Sequence, residues 1–204
     1  MYSIPECLLM YNPKKILRMN KMLNISLMAL AFASASLNVS AQTDAATPAQ
    51  QKADVDLDAK YATNLLEVGS PAPDLAIPSL GGGSVTLADY KGKYVVVDFW
   101  ASWCPDCRKD IPKVKEMYER YGKKVVFVGV SFDTDHNRWS NCIANNQMTW
   151  LHVSELKRMR EAEISKTYGV QWIPSMTLIG PDGKVILSTV VIERMEKALS
   201  EIKD

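Results

Sequence analysis

The sequence predicts an α/β fold built on a parallel strand–helix–strand crossover, and three stretches carry that expectation. Tyr94–Trp100 is apolar almost throughout and rich in valine, as a strand covered on both faces should be. Ile111, Val114, Met117, Tyr118 and Tyr121 then recur at spacings of three and four, with Gly122 as the stop. Val125–Val130 is a second apolar, β-branched run, and a crossover between two such strands is right-handed and parallel.

The remaining elements follow in order. In the first 41 residues, Lys14, Lys15, Arg18 and Lys21 precede an apolar run from Leu23 to Ala33, and Val39-Ser40-Ala41 offers small residues before Gln42. That order predicts a cleaved secretory signal over 1–41. The run is broken by Asn24 and Ser26 and is shorter than the ~20 residues that span a bilayer, so stable membrane insertion after cleavage is not expected. Residues 42–69 read as a solvated linker or short helical leader, with a short helix expected within Asp54–Glu67. Pro71, Pro73 and Pro78 mark extended chain, and Gly81-Gly82-Gly83 turns it into Ser84–Leu87 as a hairpin. His136–Asn146 and Ala162–Tyr168 are expected helices. Met176–Ile179 and Lys184–Leu187 flank the turn Gly180-Pro181-Asp182-Gly183, and Val190–Ile202 closes the chain with helical spacing.

Composition narrows the function classes. The 204 residues carry 24 Lys and Arg against 23 Asp and Glu, and loss of the signal leaves 20 against 22. A chain so close to neutral, without clustered cations, offers no groove for nucleic acid. About 160 remaining residues can bury a core without cross-links, so cysteines are not needed for folding.

Cys104-Pro105-Asp106-Cys107 sits where the buried strand gives way to a helix. A ring this small removes only about 2 kcal/mol of unfolded-state entropy, which makes a poor staple. As a zinc site it offers two ligands of four, and Cys142, His136 and His152 would have to converge on it. A redox couple suits the placement, because free amides at a helix N-terminus stabilise the thiolate that attacks. Cys104 is then the nucleophile and Cys107 the resolving thiol. Asp98 interrupts an apolar strand, and a desolvated carboxyl there has its pKa raised toward neutrality, where it could take the Cys107 proton. Trp103 could floor the groove that receives a partner. Cys142 reads as a buried, inert thiol, with pairing to Cys107 or a second chain as the alternative; His136 and His152 read as surface or satisfied positions.

The stretch Val97-Asp98-Phe99-Trp100-Ala101-Ser102-Trp103-Cys104, with Pro112 five residues beyond Cys107 and Trp172-Ile173-Pro174-Ser175, resembles the thioredoxin-like superfamily over about residues 70–204. It is most similar to the exported TlpA/ResA-type thiol-disulfide oxidoreductases. That resemblance implies a central mixed β-sheet flanked by helices, with an N-terminal β-hairpin and an inserted helix. It also implies that Pro174 is cis and lies against the cysteines, that Ile173 offers its backbone to a partner strand, and that Asp110 is an acid near the thiols. By the same likeness the protein needs no cofactor beyond a redox-active Cys104–Cys107 disulfide and works in the periplasm or another extracytoplasmic space. Its implied partners are disulfide-containing exported proteins and a membrane protein that donates thiol electrons. Two departures stand out: Pro105-Asp106 replaces the Gly-Pro of cytosolic members, and the lysine those members place opposite the buried acid falls at Gly129.

A thiol peroxidase and a metallochaperone for cytochrome or copper-site assembly are the competing readings. The peroxidase threonine three residues before the cysteine is here Ala101. Copper carriers space their cysteines by three and add a histidine, whereas this spacing is two.

Overall fold

A computed structural model of the chain describes residues 56–202. The expected signal over 1–41 and the leader up to residue 55 lie outside the described residues. Five strands form one mixed sheet: β3 Tyr94–Trp100, β4 Val125–Ser131, β5 Leu151–Ser154, β6 Ser175–Ile179 and β7 Val185–Thr189, in the spatial order β5-β4-β3-β6-β7. β3, β4 and β5 run parallel, and β6 and β7 are antiparallel to their neighbours. Six of the seven residues of β3 are buried, which fits a central strand covered on both faces.

Helix α2, Pro105–Tyr121, makes the crossover from β3 to β4 and buries Cys107, Ile111, Val114 and Met117. Its first helical residue is a proline, whose missing N–H would have had no partner there. Helices α3, His136–Asn145, α4, Glu163–Thr167, and α5, Ile192–Ser200, complete the domain. Asp135 caps α3 by accepting from Asn137 and Arg138 N–H. After α4 the chain reverses at Gly169 with φ +67°, where a Cβ would lie 1.6 Å from the Asn64 carbonyl oxygen, so only glycine fits.

The structure adds to and trims the sequence expectations. β5 was not expected: four residues containing a histidine give no alternation, and only pairing with β4 makes them a strand. The leading hairpin consists of two-residue strands, β1 Ile77–Pro78 and β2 Ser84–Val85, and Leu87 begins a 3₁₀ turn, Leu87–Tyr90, instead of continuing β2. The hairpin lies along β5, with Leu80 N–H donating to the His152 carbonyl, and so covers an edge that would otherwise be open.

Residues 56–69 pack on the domain. The helix there is only α1, Leu57–Tyr61, and its Asp58 accepts from Val190 N–H at 2.7 Å, from Thr189 Oγ1 and from Arg194. Among the described residues no helix is long and apolar enough to cross a membrane.

Candidate active site

β3 delivers the chain to the carboxyl edge of the sheet, a three-residue turn follows, and Cys104 stands as the N-cap of α2. Its Sγ accepts from Cys107 N–H at 3.1 Å, so the helix aims an otherwise unpaired amide at the sulfur. Cys104 and Cys107 form a disulfide across a Cα separation of 5.3 Å. Both are buried, and Cys104 is the more open of the two at 5% against 3%. The Cys104 sulfur lies 3.9 Å from the carbonyl oxygen of Ile173, and the Ile173–Pro174 bond is cis.

Asp98 sits in the middle of β3, in register with Gly129 on one side and Met176 on the other. Burial, reinforced by the negative charge of Asp110, raises its pKa to about 7. Among the described residues no hydrogen bond reaches the Asp98 carboxyl, whose backbone is paired in the sheet. Asp110, half-buried on α2, is itself raised, first by burial and then by the charges of Glu193 and Asp106. Asp98, Cys107, Asp110 and Pro174 line one cavity of about 10 Å³, room for a single water. Four residues singled out separately in the sequence thus meet at one point.

Opposite Asp98 on β4 stands Gly129, not a cation. A Cβ on Gly129 would approach His152 Nδ1 to 2.8 Å and Trp100 Nε1 to 3.1 Å, so the two rings fill the space a lysine would need. His152 is buried, contrary to its expected surface or satisfied position, and neither ring nitrogen makes a well-formed hydrogen bond among the described residues. The placement follows from β5, whose register puts His152 beside Gly129. Burial holds its pKa down to about 4.

Two tryptophans flank the cysteines at the surface. Trp103 is 55% exposed, with Nε1 donating to the Phe132 carbonyl, and Trp172 is 46% exposed and stacked on Tyr61 at 4.5 Å. Trp100, by contrast, is core. Cys142 is half-buried, with Asn146 Nδ2 at 3.6 Å from its sulfur, and its pKa is raised mainly by burial. Among the described residues no three His, Cys, Asp or Glu are arranged to hold a metal.

The sequence reading missed Asp133. This buried carboxylate accepts from Ser102 N–H at 2.9 Å, from Ser102 Oγ at 2.5 Å and from Ser131 Oγ at 2.6 Å. It therefore fixes the turn that presents Trp103 and Cys104. An acid just past the carboxyl end of the strand parallel to β3 was the available signal, since ligand sites in such sheets gather at those ends.

Residues 92–185 match the family described as Thioredoxin-like. Among curated proteins, the thiol-disulfide oxidoreductase ResA of Bacillus thuringiensis subsp. konkukian is 35% identical over 121 residues, covering 59% of this chain and 68% of the relative. ResA of Bacillus anthracis is 31% identical over 140 residues, covering 67% and 79%. Among solved structures, the thioredoxin domain of a thiol-disulfide oxidoreductase from Bacteroides vulgatus superposes with a TM-score of 0.61 at 30% identity, covering 67% of this chain and 97% of that one. A thiol:disulfide interchange protein from Bacteroides sp. gives 0.59 at 31% identity, covering 68% and 94%.

Proposed function

Because the chain belongs to the thioredoxin-like family, as a ResA-type thiol-disulfide oxidoreductase, we propose that it works outside the cytoplasm as a reductant of disulfides in exported proteins. The observation that carries the reading is the Cys104–Cys107 pair at the N-terminus of α2, with the Ile173 carbonyl beside the first sulfur and Asp98 beside the second. Export is supported by the basic, apolar and small-residue order of 1–41, and the domain proper then follows the leader at residues 70–204.

In the reduced protein, the Cys104 thiolate attacks one sulfur of the partner's disulfide. The partner's S–S bond breaks, a mixed disulfide forms, and the departing partner sulfur takes a proton from solvent. Asp98, as carboxylate, then accepts the Cys107 proton, by way of the water-sized cavity they share. The Cys107 thiolate attacks Cys104 Sγ, the second partner sulfur leaves and is protonated, and the protein is left with the Cys104–Cys107 disulfide. Two electrons have passed from the protein to its partner. Asp110 keeps Asp98 from ionising too early, since a second carboxylate nearby raises its pKa. Trp103, Ile173 and Pro174 form the contact surface for the partner chain.

A reduced pair in an oxidising space must be recharged, so the proposal includes a membrane protein that passes thiol electrons outward. Two measurements test the reading. Insulin reduction should vanish in Cys104→Ser, and the pair should equilibrate with glutathione or dithiothreitol buffers at about −270 mV or below; a potential near about −120 mV would make the protein an oxidant instead.

A further inference from the structure

Beyond the cysteines and their acids lies a groove of about 420 Å³ on the outer side of Trp103. Trp103, Phe132 and Met159 give it apolar walls, and Arg158, Arg160 and Glu161 supply its charge. Trp103 immediately precedes Cys104, so one wall of the groove is the chain neighbour of the attacking cysteine. Three nearby lysines are paired: Lys157 with Glu155 at 3.0 Å, Lys166 with Glu163 at 3.0 Å and Lys109 with Asp106 at 2.8 Å. Arg158 and Arg160 are exposed and have no ion pair among the described residues. Arg160 also borders a second groove, of about 480 Å³, that reaches Gln171 beside Trp172. A cationic band thus runs from Trp103 toward Gln171, the residue before the exposed Trp172.

We propose that this band docks an extended acidic segment of the partner protein, with Asp or Glu close to the cysteine that Cys104 attacks. The inference rests on the oxidoreductase reading and adds the chemistry of the partner. A guanidinium presents a planar fork that matches a carboxylate in two bonds, and the apolar walls beside it can take the aliphatic part of an extended segment. Glu161 offsets one of the two charges, and the groove stays net positive. Charges at such a rim act chiefly on the rate of encounter, so the preference depends on salt.

The test uses the purified full chain with dithiothreitol as electron donor and three synthetic disulfide peptides, identical except for Glu, Gln or Lys on either side of the cysteine. The expected order of kcat/KM is Glu over Gln over Lys, spanning about three- to tenfold at low ionic strength, the size two exposed pairs allow. The spread should collapse at high salt, and Arg158→Glu/Arg160→Glu should reverse the order. Equal rates for the three peptides, a Gln peptide as fast as the Glu peptide, a Lys preference, or a Glu preference that survives the double substitution each overturn the proposal. The wild-type salt series decides the matter even if the double variant does not fold. Cys104→Ser separates the two levels: if it still reduces the peptides, the oxidoreductase mechanism fails, whatever the charge preference.

Discussion

Asp98 carries a buried carboxyl without a hydrogen-bond partner among the described residues, and its pKa of about 7 has two measurable effects. The first is kinetic. As pH falls below 7 the carboxyl is protonated and cannot take the Cys107 proton, so release of the mixed disulfide should slow. In Asp98→Asn this step should fall about a hundredfold and lose that pH dependence, as removal of a general base does; single-turnover trapping of the mixed disulfide measures it. The second is thermodynamic. A carboxyl raised from 3.8 to about 7 on folding contributes stability below 3.8 that is lost as pH climbs through 7, on the order of 4 kcal/mol. Urea unfolding of the oxidised protein should therefore find Asp98→Asn more stable than wild type at pH 8, with the advantage shrinking toward pH 4. An Asn variant less stable at pH 8 would contradict the buried-acid account.

The element that matters most is α2, whose start at Pro105 puts Cys104 at the cap and whose buried stripe anchors Cys107. With Cys107 replaced by alanine, alkylation of Cys104 should titrate below the ordinary thiol value of about 8.5. A midpoint at or above that value would leave the helix N-terminus without an effect on the sulfur. Asp133 holds the turn that feeds this helix, and no cue in local periodicity marked it. Asp133→Ala leaves Ser102 N–H and two hydroxyls without their acceptor, at a cost of about 1–3 kcal/mol. It should slow Cys104 alkylation as well as lower the melting temperature, and Asp133→Asn should recover part of both.

Across the whole domain, two buried titrations oppose each other. His152, held down to about 4, binds protons more readily in the unfolded chain, so its contribution is present above about 6.5 and is lost as pH falls toward 4, on the order of 3 kcal/mol. Asp98 runs the other way over nearly the same window. Wild-type stability should change little between pH 4.5 and 6.5, whereas Asp98→Asn should lose stability steeply on acidification; a flat profile in that variant would remove His152 as the cause. The docked leader is a second property of the whole domain. Asp58→Ala removes the acceptor shared by Val190, Thr189 and Arg194, and should destabilise by about 1–2 kcal/mol in urea melts.

The parallel crossover, the cysteine pair at its strand-to-helix junction and the acid in β3 were all readable from the sequence. Each is written in local signals: a valine-rich run, a three-and-four spacing, a polar residue where apolar ones belong. Only the tertiary structure decided that Asp98, Cys107, Asp110 and Pro174 share one cavity, that β5 exists at all, and that His152 and Trp100 take the space beside Gly129. The leader's attachment through Asp58 and the grip of Asp133 on Ser102 belong to the same group. The physical reason is range. Periodicity and capping act over a turn or two of chain, whereas β5 meets β4 across 23 positions, Asp133 meets Ser102 across 31 and Asp58 meets Thr189 across 131, through sheet register and packing that no short window contains.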